Sequence, residues 1–333
     1  MTKYDVYGLG NALVDIEIEI EVEELDKIAV DKGVMTLIDR QRHEALLDHL
    51  KGRAHRRACG GSAANTIIAV AQLGGKSFYS CRIGNDETGD FYLTDLHNEG
   101  VKTNLQASQR EQGVTGKCLV MITPDADRTM NTFLGITSEL TESSLDLEAL
   151  KNSQFLYIEG YLASSVTAVA TAVKAIQCAR QAAVPIAISL SDPAMVEFCR
   201  EGIDALLEGG VELLFCNEDE AIAYTGASSI TEAGELLKKI AHRFAITLGA
   251  KGALIFDGQK YHKIVPFDVK AVDTNGAGDL FAGSFLHALT QGLSAPIAGN
   301  IASFASSRLV TSFGPRLNSK HLTEVRDYAR QFN

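Results

Sequence analysis

Two carboxylates bracket a turn of small residues in the segment Asp273-Thr274-Asn275-Gly276-Ala277-Gly278-Asp279, and the apolar run LFAGSFLHAL begins directly after the second acid. A helix that opens on such a turn leaves backbone N–H groups without intrahelical acceptors, and its dipole adds positive potential there. That combination holds an anion such as phosphate. Gly276, Ala277 and Gly278 let the backbone come close to the anion, so their N–H groups are the expected anion hole. A carboxylate beside an anion site has a chemical use. Asp279 is placed to accept the proton of an attacking hydroxyl while the N–H groups hold a phosphoryl group in transfer. From this segment alone the competing reading is an ordinary N-cap Asp after a tight turn.

Other polar residues sit where strand-like runs end. Asp15 lies in GNALVDI among Leu13, Val14 and Ile16; an acid in such surroundings needs a partner, either a sugar diol or a nearby Lys or Arg. Asn217-Glu218-Asp219-Glu220 follows the run VELLFC, and by itself an acidic first helical turn is only a match to the helix dipole. Two familiar motifs fail. Gly8-Leu9-Gly10-Asn11-Ala12-Leu13 begins like a dinucleotide fingerprint, but Leu13 stands where the third glycine belongs and a strand follows. Gly75-Lys76-Ser77 ends like a P-loop, but Val70 replaces the first glycine and the preceding segment reads as helix. A phosphate site without a P-loop leaves the Gly276–Gly278 turn.

The elements that must position these groups read as α/β. YDVYGLGNALVDI is a strand, a turn and a strand, and Ile16 to Val22 (IEIEIEV) alternates with period two as a strand with one wet face. Gly113 to Ile122 and Arg128 to Phe133 read as strands joined by the turn Thr123-Pro124-Asp125-Ala126. Beyond residue 138, FLYIEG, PIAISLS, VELLFCN and FAITLG alternate with Ala- and Leu-rich helical stretches, the pattern of a parallel sheet with helices on both faces. Ligands on such sheets bind at the carboxyl ends of strands, which puts Asn217 and Gly249 on one cleft.

The DTNGAGD run resembles the C-terminal signature of the PfkB-type carbohydrate kinases, the ribokinase family. Gly60-Gly61-Ser62-Ala63-Ala64-Asn65 resembles the family's other signature, in the right order along the chain. The resemblance implies a ribokinase-like α/β fold, a central mostly parallel sheet flanked by helices with a small β lid. It assigns 1–15, 40–110 and 138–333 to the large domain and 16–39 and 111–137 to the lid. It implies transfer of the ATP γ-phosphoryl group to an alcohol, with Asp279 as base. Asp15, Asn65 and the Gly60-Gly61 backbone match the sugar-binding positions. Asn217 and Glu220 match the N-x-x-E motif that handles Mg²⁺, often through water, and Thr247, Gly249 and Gly252 match the nucleotide segment. Asn300 matches the region flanking adenine, with Gly314 and Asp273 near a K⁺ site.

TPDADRTMNTFLG and GNALVDI look more like the adenosine-kinase-like branch than bacterial ribokinase. A nucleoside acceptor needs an apolar slot, expected at Met130, Phe133 and Leu134, with Arg128 reaching the acceptor or a phosphate. A simple sugar kinase is the alternative, and a regulator that binds without catalysis is a third reading. Net charge of −11 argues against nucleic-acid binding, no apolar run is long enough for a membrane, and six scattered cysteines without metal spacing suit a reducing cytoplasm. The chain is expected to be a monomer, or a dimer in which the IEIEIEV strand pairs with a partner's lid.

Overall fold

The computed structural model describes residues 3–53, 55–125 and 127–332. Ala126, the last residue of the expected Thr123–Ala126 turn, lies outside them. The large sheet has eight strands: β1 (Tyr4–Leu9), β5 (Ser77–Ser80), β8 (Ser153–Glu159), β9 (Ile186–Ser189), β10 (Val211–Asn217), β11 (Ala241–Thr247), β12 (Ala253–Phe256) and β13 (Tyr261–Ile264). Their order is β13-β12-β11-β10-β9-β8-β1-β5. From β11 through to β5 every pairing is parallel, and only β12 and β13 are antiparallel. Adjacent residues of one strand enter opposite cores. Tyr157 and Phe215 pack with Phe281 and Phe285 on one face, and Ile158, Leu214 and Cys216 pack with Ala172 and Ile176 on the other. Strands that are apolar on both sides are what the continuous runs in the sequence encode.

The small sheet contains β2 (Leu13–Glu19), β3 (Met35–Leu37), β4 (Arg56–Gly60), β6 (Gly116–Ile122) and β7 (Arg128–Phe133), in the order β3-β7-β6-β2-β4. Three expectations change here. The strand read over Ile16 to Val22 stops at Glu19, and Val22 starts a helix, Val22–Lys27, with Glu23 and Glu24 in its first turn. Arg56–Gly60, expected within the large domain, pairs with β2 in the small sheet. β2 is also an internal strand, bonded to β4 on one side and β6 on the other, so it has no free edge to offer a partner's lid.

The period-two alternation of β2 does settle which way its acids face. Val14, Ile16 and Ile18 join the core that also holds Val6 and Tyr157 of the large sheet. Leu13, Asp15 and Glu17 therefore face the opposite way, toward the cleft between the sheets. No helix among the described residues is long and apolar enough to cross a membrane.

Candidate active site

A cavity of about 510 Å³ opens between the two sheets. Asn11, Glu159, Ser189, Asn217 and Thr247 line it from the carboxyl ends of β1, β8, β9, β10 and β11 or just beyond. This is where a parallel α/β sheet offers a crevice. Asp15, Asn65, Gly61, Gly276, Ala277, Gly278, Asp279 and Glu220 line the same cavity.

Asp279 stands in the first turn of the helix Ala277–Thr290. It is clamped from the helix Ser62–Gln72: Ser62 Oγ donates to Oδ1 at 2.6 Å and Asn65 Nδ2 to Oδ2 at 3.0 Å. Ser62 is the first residue of its helix, and Gly61, at φ 94°, holds the cap position. The two helices approach closely because position 283 is glycine. A Cβ there would lie 2.5 Å from the carbonyl oxygen of Thr66 and 2.7 Å from Ala69 Cβ. Burial raises the Asp279 pKa above the usual carboxylate value, and the Ser62 and Asn65 hydrogen bonds pull it part of the way back.

The anion hole differs from expectation at one member. The N–H of Ala277 is taken by the carbonyl of Thr274 at 3.2 Å, closing the turn. Among the described residues, the amides of Gly276, Gly278 and Asp279 have no protein acceptor. Gly276 takes φ 72° with Pro315 close against it, a Cβ on Gly278 would meet nothing within 4 Å, and Gly276, Gly278 and Asp279 all line the cavity. Unpaired amides at the start of a long helix, on the wall of a cavity, fit a phosphate group.

Asp15 is 7% exposed and has no hydrogen-bond donor among the described residues. Gly60 makes room for it, since a Cβ there would sit 2.1 Å from Asp15 Oδ1. Burial, with Glu17 adding, pushes its pKa up to about 7 against the pull of Arg316 and Arg128. The Lys or Arg partner weighed from the sequence is thus absent as a direct contact. Asn65 Oδ1 is likewise buried without a partner. A carboxylate and an amide oxygen left open at one end of a cavity are acceptors for hydroxyl groups.

Asp273 is 3% exposed and engaged on both oxygens. It pairs with Arg128 from β7 and accepts the Gly314 N–H at 2.7 Å and the Asn275 N–H at 2.9 Å. A guanidinium already fills the place where a monovalent cation would meet this carboxylate, so the Asp273 side chain does not fit the expected K⁺ role. Arg128 therefore ties the lid to the anion loop, where contact with an acceptor or phosphate was expected. Phe133 also departs from expectation: it stacks on His43 at 5.5 Å, because along β7 Arg128, Met130 and Thr132 face the cavity and alternate residues face away.

Asn217 and Glu220 form a reciprocal capping box: Asn217 Oδ1 accepts the Glu220 N–H at 2.8 Å, and Glu220 Oε2 accepts the Asn217 N–H at 3.0 Å. Asn217 Nδ2 donates to Glu220 Oε1 at 2.7 Å. Burial pushes Glu220 up to about 7. Each of its oxygens keeps a lone pair beside the cavity, which suits an ion held through water. Among the described residues no three His, Cys, Asp or Glu side chains gather as a metal cage.

Gly249, Gly252 and Asn300 do not line the cavity. Thr247 takes the place on the cleft expected of Gly249. Gly252 is glycine because a Cβ would lie 2.0 Å from the Ile264 carbonyl, and the Asn300 amide folds back on Pro296 O at 3.0 Å. Sequence reasoning missed Glu159, which is fully buried at the end of β8. Its two oxygens accept the N–H groups of Asn11 (2.7 Å) and Ala63 (2.6 Å), fixing the loop after β1 and the helix that carries Ser62 and Asn65. Burial pushes it up to about 7. An acid closing the apolar run FLYI was the available signal.

An α/β sheet whose carboxyl edge carries a clamped aspartate at a phosphate-ready helix start, under a β lid, defines a kinase of small hydroxyl-bearing acceptors. A family model described as pfkB family carbohydrate kinase matches residues 28–322, and the chain belongs to that family. Adenosine kinase of Saccharomyces cerevisiae is 27% identical over 337 residues, covering 95% of this chain and 97% of that protein. Ribokinase of Haemophilus influenzae is 28% identical over 272 residues, covering 80% and 85%. The crystal structure of adenosine kinase from Sinorhizobium meliloti superposes with a TM-score of 0.91 at 30% identity, covering 98% of this chain and 99% of that one. The protein is an ATP-dependent kinase of a nucleoside or sugar.

Proposed function

We propose that the acceptor is an adenosine-like ribonucleoside, phosphorylated at its primary hydroxyl. The observation that carries this reading is the division of one cavity into a polar end and an apolar wall. Asp15, Asn65 and Asp279 stand at the polar end, and Leu13, Met35, Met130 and Leu134 line the lid. A free sugar leaves that wall unused; a nucleoside base covers it. The ribose diol would bond to Asp15 and Asn65, with the primary hydroxyl turned to Asp279.

In this reading Asp279 accepts the hydroxyl proton, a contribution of about 10²–10⁴ in rate. Its raised pKa makes it a better base than an exposed aspartate, and Ser62 and Asn65 hold it in line. The amides of Gly276, Gly278 and Asp279 would bind the transferring phosphoryl oxygens, as a loose transition state requires. ATP would lie toward Asn217, Glu220 and Thr247. Mg²⁺, when bound, neutralises phosphate charge; Glu220 and Asn217 would hold it through water. Potassium activation gains no support at the Asp273 carboxylate.

The test is ADP release with adenosine, ribose and fructose, with and without K⁺, repeated with Asp279→Asn. The expected outcome is turnover with adenosine well above either sugar, and loss of turnover in Asp279→Asn with ATP binding kept. Full activity in Asp279→Asn removes the assigned base, and turnover confined to ribose or fructose returns the reading to a simple sugar kinase.

A further inference from the structure

The lid presents the acceptor with almost no uncommitted hydrogen-bonding side chain. Its polar residues on the cavity each have a partner, although Arg128 keeps its buried Nη1 without a hydrogen bond. Thr132 Oγ1 donates to Cys118 Sγ at 3.3 Å, Arg128 pairs with Asp273, and Asp127 accepts from Lys32 at 3.1 Å and from the Arg128 N–H at 2.9 Å. The opposite wall repeats the pattern. Tyr161 Oη reaches Asp192 at 3.5 Å, Ser164 Oγ donates to the Tyr161 carbonyl at 2.8 Å, and Ser191 Oγ accepts the Gly160 N–H at 2.8 Å. Among the described lining residues, polar side-chain atoms left open lie away from these two walls: Asp15 and Asn65 Oδ1 at the sugar end, and Asn275 Nδ2 on the anion loop.

We infer that the enzyme selects its acceptor by the ribose and reads the base only by shape, so that purine ribonucleosides with different ring-edge groups are phosphorylated with similar efficiency. This rests on the nucleoside reading above. Leu13, Met130 and Leu134 supply flat apolar contact, and the thioether of Met130 adapts to small changes of outline. Leu37, at the rim, is 45% exposed, so the polar edge of a base can stay hydrated and no buried partner is lost when an amine becomes a carbonyl. A site that hydrogen-bonds a ligand group rejects the analogue lacking it by about 10⁴–10⁵, whereas an apolar slot discriminates far less.

The experiment compares kcat/KM for adenosine, inosine and guanosine, with 2′,3′-dideoxyadenosine and ribose as controls. The expected result is a spread below about thirtyfold among the three ribonucleosides and a loss above about a hundredfold for the dideoxy analogue. Met130→Ala should weaken all three ribonucleosides by one common factor. A spread above about thirtyfold, or a Met130→Ala effect on one base alone, overturns the inference while leaving a nucleoside kinase in place. Turnover of ribose with none of any nucleoside instead overturns the functional reading beneath it.

Discussion

Replacing Asp15 by Asn should stabilise the ligand-free protein while disabling it, and the size of the gain should depend on pH. The Asp15 carboxyl is buried without a hydrogen-bond donor, and its pKa rises from 3.8 to about 7, chiefly through burial. At roughly 1.4 kcal/mol per pH unit, that shift of about three units corresponds to about 4 kcal/mol. The folded pKa lies above the unfolded one, so the folded state binds more protons between pH 3.8 and about 7. Stability is therefore lost as pH rises through that window and stays low above it. The full penalty applies at pH 8, and under about 2 kcal/mol of it remains at pH 5. Water in the cavity screens the carboxylate, so about half these values is expected. Asn keeps the shape and removes the charge. With an unfolding entropy of about 2.1 cal/mol/K per residue, that halved gain should raise Tm at pH 8 by roughly 3 °C, and by less than half as much at pH 5. Calorimetry without ligand at the two pH values measures this. The same variant should lose about a hundredfold or more in kcat/KM, because the diol loses its acceptor. An Asp15→Asn protein no more stable than wild type at pH 8, or stabilised equally at both pH values, would refute the reasoning.

Other outcomes follow from the same geometry. Ser62→Ala removes a bond that lowers the Asp279 pKa, so the acid limb of the kcat/KM profile should move to higher pH; an unmoved limb contradicts the clamp. Arg128→Ala leaves Asp273 without its cation and should destabilise the fold by about 3–5 kcal/mol, read by denaturant unfolding, with Arg128→Ala/Asp273→Asn recovering part of the loss. Gly283→Ala inserts a methyl against Thr66 and should lower kcat by about tenfold or more with little change in the KM for ATP, since a displacement of the order of 1 Å between reacting groups is enough.

The fold was legible because its evidence is local and repeated. Runs such as FLYI and LLFC, apolar on consecutive residues, read as strands covered on both faces, and helical stretches between them set the parallel order. Asp279 and Asp15 stood out as candidates because each breaks an apolar pattern with a polar residue of definite chemistry, while Asn65 entered through the resemblance to the family's Gly-Gly signature. What escaped depends on long-range contact. Arg128 and Asp273 are 145 residues apart, and nothing local says that one neutralises the other. Glu159 serves backbone amides of two distant segments, which leave no mark in composition. β4 could not be assigned to the small sheet from Arg56-Arg57-Ala58, a stretch whose only strand-like feature is the partner it finds. Gly249 and Gly252 matched a family pattern by position, but their glycine character answers to the turn and hairpin they form.

Apart from a small cluster of Cys118, Val120 and Ile122 under Met130, the lid has no interior of its own. Ile16, Ile18, Leu119 and Met121 from its strands belong to the same apolar cluster as Val6, Phe155 and Phe215 of the main sheet. Swinging the whole small sheet away as a rigid door would tear that shared cluster and expose it to water. Traffic in and out of the cavity is cheapest at the outer lip, Met35–Leu37, a short edge strand held on one side by β7 and already wetted at Leu37. The protein thus behaves less like a hinged box than like a pouch with one loose hem.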